Sequence, residues 1–170
     1  MEKLFNKQDL FSLNESIFKL LDHDWMLVTS GVLKSYNMMT ASWGGMGILW
    51  NKQVAYIFIR PQRHTYKFAE KYEFITLSFF TEEYRKMLKI LGTKSGKDID
   101  KMKTPGLTPL ETVSGAVAFE EARLVLECKK LYFDDIKPAN FIIPEIDSNY
   151  PFKDYHRMYI CEITNAYIKK

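Results

Sequence analysis

Three apolar, β-rich runs lie within thirty-five residues of one another, and only a few polar residues separate them. They are Trp25 to Leu33 (WMLVTSGVL), Met38 to Trp50 (MMTASWGGMGILW) and Val54 to Ile59 (VAYIFI). Aromatic and β-branched residues dominate the first and third, and the intervening Lys34 to Asn37 and Asn51 to Gln53 are short, polar stretches that reverse a chain. Three consecutive antiparallel strands are expected, with Pro61 ending the third.

The rest of the chain fits a sheet with peripheral helices. Asn14 to Leu21 (NESIFKLL) predicts a short amphipathic helix with Asn14 as N-cap, ending near His23 and Asp24. His64 to Tyr72 predicts a second helix and Phe74 to Phe80 a strand. Thr81 is the expected N-cap of TEEYRKMLKILG, where Tyr84, Met87, Leu88 and Leu91 share one face and Gly92 is placed to end the helix. Lys94 to Lys103 reads as a loop leading into a short helical turn. Ala116 to Phe133 is too long for one flat strand, and the Glu120-Glu121 pair divides it into two halves. Lys137 to Asp154 is irregular and proline-punctuated, and Met158 to Ile168 is a final strand. About six strands at this spacing predict a mainly β, antiparallel barrel. No repeat, low-complexity tract or linker divides the sequence, so residues 1–170 are expected to form one domain.

Composition narrows the function classes. With 24 basic and 21 acidic residues in 170, the net charge is only +3 and the lysines are scattered, which argues against nucleic acid as the partner. No apolar run has the length of a signal peptide or of a bilayer span, so a cytoplasmic protein without a membrane partner is expected. Cys128 and Cys161 form no CxxC pair and read as buried thiols. The histidines His23, His64 and His156 lack metal-ligand spacing, so no metal site is expected. GTKSGK (Gly92 to Lys97) fails as a phosphate-binding P-loop, since Asp98 stands where Ser or Thr would hold magnesium. Gly44, Gly45 and Gly47 do not complete a dinucleotide fingerprint, and no serine sits in a nucleophile elbow.

Two stretches remain. Asn37 to Gly45 (NMMTASWGG) places Thr40, Ser42 and Trp43 in a strand-like run, and Arg60 to Phe68 (RPQRHTYKF) places two arginines, a histidine and a threonine at a helix entrance. A helix N-terminus with free N–H groups and two guanidinium forks suits a phosphate. Solvated loop arginines with Thr65 as an ordinary cap account for the same residues, and spacing alone favours that reading. Likewise, Asn37 to Trp43 alternates as any half-exposed strand does.

Taken in order, NMMTASWGG, RPQRHTY, SGKDIDKMKTPGLT, RLVLECKKLY and HRMYICEI resemble the flavin reductase-like family of FMN-binding split-barrel proteins, which includes flavoredoxin. The likeness runs from about Trp25 almost to the C-terminus. It implies a six-stranded antiparallel Greek-key split barrel, a homodimer, and FMN bound near the dimer interface. By position, Asn37, Met38, Met39 and Thr40 would lie along the isoalloxazine, and Ala41, Ser42 and Trp43 along the ribityl and phosphate side. Arg60, Arg63, His64 and Thr65 would meet the phosphate, where the helix-entrance argument also places an anion. His156 falls at the family's histidine, near the approach of a nicotinamide, though a satisfied surface or interface histidine is an equal reading of the residue itself. Cys161 departs from the family's glycine. The resemblance implies a reductase that passes a hydride from NADH or NADPH to flavin. A flavin-binding electron-transfer protein reduced by a redox partner protein needs the same pocket, and a ligand-binding barrel without redox function is a third reading.

Overall fold

The computed structural model describes residues 1–170. Ten strands form: β1 Phe5–Gln8, β2 Met26–Val32, β3 Ser35–Ala41, β4 Gly44–Leu49, β5 Lys52–Ile59, β6 Phe74–Phe79, β7 Pro109–Glu111, β8 Val117–Phe119, β9 Leu124–Asp135 and β10 Arg157–Lys169. Two α-helices, α1 His64–Lys71 and α2 Arg85–Thr93, interrupt them. The main sheet runs β3-β2-β6-β9-β10-β5-β4, with β1 added on β10, while β7 and β8 pair separately. Every pairing is antiparallel. This is the mainly β, split-barrel architecture that the sequence predicts.

The long run from Met38 to Trp50 is the main departure from the sequence reading. It is two strands: β3 pairs with β2 at one end of the sheet, and β4 pairs with β5 at the other. Only Ser42 and Trp43 join them. There are therefore two hairpins in place of three consecutively paired strands. Their turns also sit a residue or two earlier than predicted. The second uses Trp50 and Asn51, both at positive φ (52° and 57°), the geometry of a type I′ loop whose twist matches that of the strands it joins. Just before the first turn, Gly31 on β2 has φ 126°, and a side chain there would run into Ser35 and Tyr36 on β3. The count exceeds six because this run divides, because Ala116 to Phe133 forms two separate strands (β8 and β9) at its expected break, and because short β1 and β7 carry too little pattern to announce themselves.

Elsewhere the elements fall close to expectation. A 3-10 turn, Leu10–Ser12, comes first. The helix expected with Asn14 as its cap starts later, with Ser16 accepting from the Lys19 and Leu20 N–H groups, and its body is a π-helical turn, Lys19–Asp24, that buries Leu20 and Leu21. The Thr81 hydroxyl bonds to Glu83 and leaves the backbone uncapped, so a 3-10 turn (Glu82–Tyr84) precedes α2. The helix passes Gly92 and closes at Thr93, with the Lys94 N–H donating to Ile90. The chain turns at Glu120 to Arg123 between β8 and β9, as the paired glutamates suggested.

Inward residues alternate along β5, β6, β9 and β10 and fill the core, which includes Ile57, Ile59, Ile75, Leu77, Phe79, Leu126 and Tyr159. A second cluster beneath α2 joins Leu88 and Leu91 to Met38, Phe80, Phe119 and Val125. Burying a large aliphatic or aromatic side chain contributes about 1.5–3 kcal/mol, so this second cluster fixes α2 against β3. No helix is long and apolar enough to cross a membrane.

Candidate functional site

An open cleft of about 440 Å³ lies where β3 gives way to β4. Met39, Thr40, Ala41, Ser42 and Trp43 form one wall, Phe58, Arg60, Gln62 and Arg63 another, and Thr93, Ser95 and His156 the rest. The strand break makes this possible. The Met38 carbonyl accepts from Lys101 Nζ at 2.9 Å and so points away from β2. By the two-residue alternation of an antiparallel ladder, the N–H and C=O of Thr40 point the same way and find no strand partner. The Thr40 hydroxyl donates to the carbonyl of Leu88 at 2.6 Å, tying the wall to α2.

The two arginines have different surroundings. Arg60 forms an ion pair with Asp154 (2.9 Å), donates to the carbonyl of Asn149 (2.9 Å) and lies over the Tyr150 ring at 5.0 Å. Arg63 donates only to the carbonyl of Gly92, at 2.6 Å, and faces no carboxylate. Burial, reinforced by Arg60, holds its pKa below the usual arginine value. A partly buried cation with only a neutral partner is electrostatically incomplete, and an anion in the cleft would complete it.

Thr65 and Asn37 lie under the cleft and do not line it. Thr65 is fully buried, and both its hydroxyl (2.7 Å) and its N–H (3.1 Å) donate to the amide oxygen of Asn37. Asn37 thus caps α1 from the neighbouring strand, and the Thr65 hydroxyl is not a free donor. Met38 is also fully buried. His64 packs beside Phe68, at 5.5 Å between ring centres, and its Nδ1 has no partner. Burial, then the nearby Lys67, Lys97 and Lys101, lower its pKa. Of the residues singled out from sequence, Met39 to Trp43, Arg60, Arg63 and His156 come together in the cleft. Asn37, Met38, His64 and Thr65 form the layer behind it.

His156 is almost wholly buried, between Trp43 (5.3 Å), Phe58 (6.2 Å) and Tyr150 (5.5 Å). Burial first, then Arg60, lower its pKa to about 4, so the ring is neutral at pH 7. Its Nδ1 lies 2.9 Å from the Tyr150 hydroxyl.

Sequence reasoning passed over several of these residues. Lys101 opens a three-residue 3-10 turn and Tyr150 and Asp154 lie in irregular chain, all without periodicity, and Phe58 reads as one more apolar strand residue. Lys101 sits in the SGKDIDKMK stretch, and its ammonium joins the outer edge of β3 to the end of α2 through Met38 and the Leu91 carbonyl (2.7 Å).

The flavin reductase like domain model matches residues 19–170. The chain belongs to the flavin reductase-like family. Solved structures agree with the family fold. The chain is 20% identical to flavoredoxin of Desulfovibrio vulgaris (TM-score 0.66, covering 96% of this chain and 76% of that one). It is 20% identical to an FMN-binding protein of Thermus thermophilus with bound cyclohexenone (TM-score 0.65, 84% and 68%). An NADH:FAD oxidoreductase of Streptomyces globisporus, solved with NAD and FAD fragments, is 13% identical (TM-score 0.64, 86% and 77%). No curated protein sequence matches this flavin reductase-like chain.

Proposed function

We propose that this protein binds FMN in the cleft and transfers reducing equivalents from NADH or NADPH to it. The observation that carries the reading is Arg63, a guanidinium lining the cleft with no carboxylate beside it. The remaining residues fit the same ligand. The cleft volume falls within the range of about 300–1,000 Å³ usual for small-molecule sites. Arg63 would hold the phosphate, with Arg60 adding positive charge from within its ion pair. The Ser42 hydroxyl, without a partner in the chain, and the free backbone groups of Thr40 would bond the polar edge of the ring system or its side chain. Trp43, Phe58 and His156 offer apolar faces. Flavin held by these residues would supply the redox chemistry, as acceptor of a hydride and donor of electrons.

The protein's own part is to position and to exclude water. α2, anchored through Thr40 and Arg63, fixes one side of the cleft, and Asn37 locks α1 to β3. No side chain is required to act as acid or base. We also read the protein as a single domain and a homodimer in solution, with a sedimenting mass about twice 20.0 kDa. Exposed Phe133, Ile142 and Phe152 support that assembly.

The test is spectroscopic. Purified protein should be yellow or quench FMN fluorescence at micromolar concentration, about −8 kcal/mol of binding free energy. Anaerobic NADH or NADPH should then bleach the bound flavin. Colourless protein that leaves FMN fluorescence unchanged would overturn the proposal. Bleaching only by dithionite or a reduced protein would assign the chain to electron transfer from a redox partner protein.

A further inference from the structure

The segment Lys137 to Asp154 contributes no strand to the sheet, yet it closes one side of the cleft. Asp154 and the Asn149 carbonyl bind Arg60, Gln62 also bonds Asp154, and Tyr150 packs beneath the arginine. Tyr150 is nearly inaccessible to solvent. Its hydroxyl has one hydrogen-bond partner, His156 Nδ1 at 2.9 Å. Burial raises the Tyr150 pKa, so the phenol keeps its proton and needs an acceptor.

That requirement decides which nitrogen of His156 carries hydrogen. In a neutral imidazole one nitrogen donates and the other accepts. Were Nδ1 the protonated one, the buried Tyr150 hydroxyl would have no acceptor. Nδ1 therefore accepts, and Nε2 bears the proton. Nε2 has no partner within the chain, and His156 lines the cleft beside Trp43 and Phe58. The charged groups facing the ring are Arg60 and Arg63, which oppose its protonation, and Asp154, which favours it.

We propose that Tyr150 is a positioning residue: it fixes His156 as the Nε2–H tautomer and so gives the cleft a neutral hydrogen-bond donor for an uncharged carbonyl oxygen, such as that of a nicotinamide carboxamide. The ligand half of this proposal rests on the reductase reading, and the tautomer half does not. A donor held in place without charge selects by geometry and keeps its strength at every pH at which the ring stays neutral. The irregular segment is then part of the site, because it carries the group that sets the tautomer.

Protein labelled with nitrogen-15 in histidine, free of flavin and at neutral pH, should give a His156 spectrum with Nδ1 unprotonated and Nε2 protonated. In Tyr150→Phe the two nitrogens should move toward an averaged pattern as the second tautomer becomes populated. With FMN bound, reduction by NADH or NADPH should slow about two- to tenfold in this variant, the loss of one hydrogen bond's worth of orientation, while FMN affinity stays unchanged. A wild-type ring protonated at Nδ1 overturns the tautomer assignment, and an unaltered spectrum in Tyr150→Phe overturns Tyr150 as the residue that sets it. The expected tautomer in a chain whose flavin never responds to reduced nicotinamide overturns the ligand half alone.

Discussion

Replacing Lys101 with methionine should remove a pH dependence of stability that the wild-type chain carries on its alkaline side. Lys101 is 4% exposed, and the only partners of its ammonium are the carbonyls of Met38 and Leu91. Burial, and then the charge of Arg63, lower its pKa from 10.5 to about 8. That shift corresponds to about 3 kcal/mol of penalty for holding the charged form in the folded state. The penalty is full below pH 8, where lysine is protonated both folded and unfolded. It shrinks as pH rises from about 8 to 10.5, because the unfolded chain then binds more protons than the folded one, and it is gone above that window. Buried Tyr159 and Cys128, whose pKa values are raised, push stability the opposite way at alkaline pH. They are common to both proteins and drop out of the comparison. Urea unfolding of wild type and Lys101→Met, at about pH 7 and about pH 10, measures the difference. The stability of wild type relative to the variant should improve by about 2–3 kcal/mol between the two conditions. A relative stability constant to within about 0.5 kcal/mol would refute a charged, desolvated Lys101.

The same site supports three more tests. Arg63→Ala should weaken FMN more than riboflavin, by about 1.5–3 kcal/mol in fluorescence titration, whereas Arg60→Ala should discriminate less because its charge is already paired. Equal losses for both flavins in Arg63→Ala would move that residue off the phosphate. On the acid side, the folded-state pKa of His156, about 4 against the ordinary 6.5, means stability is lost as pH falls through that window. His156→Gln should therefore flatten the acid limb of the stability curve by up to about 3 kcal/mol. Gly96→Ala should destabilise by about 1–3 kcal/mol in urea unfolding and weaken FMN, because the added methyl would collide with the Asn37 amide and meet His64 at 3.0 Å. Unchanged unfolding in that variant would show that the 94–103 loop does not seat on the α1 cap.

Strand content and the antiparallel class were legible in the sequence because β-branched and aromatic runs with short polar turns permit little else. Pairing was less legible. Nothing local in MMTASWGGMGILW says that its halves belong to opposite ends of a sheet, since that depends on β2 and β5, which recruit each half separately. For the site, composition and spacing could point to Arg60, Arg63 and Thr65 but could not rank them. Which arginine is free was decided by Asp154, ninety-four residues beyond Arg60 in the chain. Thr65 looked like a cap and is itself capped from a neighbouring strand. Lys101 acts through two backbone carbonyls, of Met38 and Leu91, and Tyr150 through one hydrogen bond to His156, and neither arrangement leaves a periodic signal.

The two-residue link between β3 and β4 sets a limit on motion. Ala41 and Gly44 are three peptide units apart, and an extended chain spans at most about 3.6 Å per residue, so these edges cannot separate by more than about 11 Å. The opposing ends of the sheet are therefore tethered at the mouth of the cleft itself. A two-residue link at the mouth is thus a covalent stop: the edges can part there only as far as Ser42 and Trp43 extend, so the size of a guest is restricted by the length of the chain as well as by the side chains that line it.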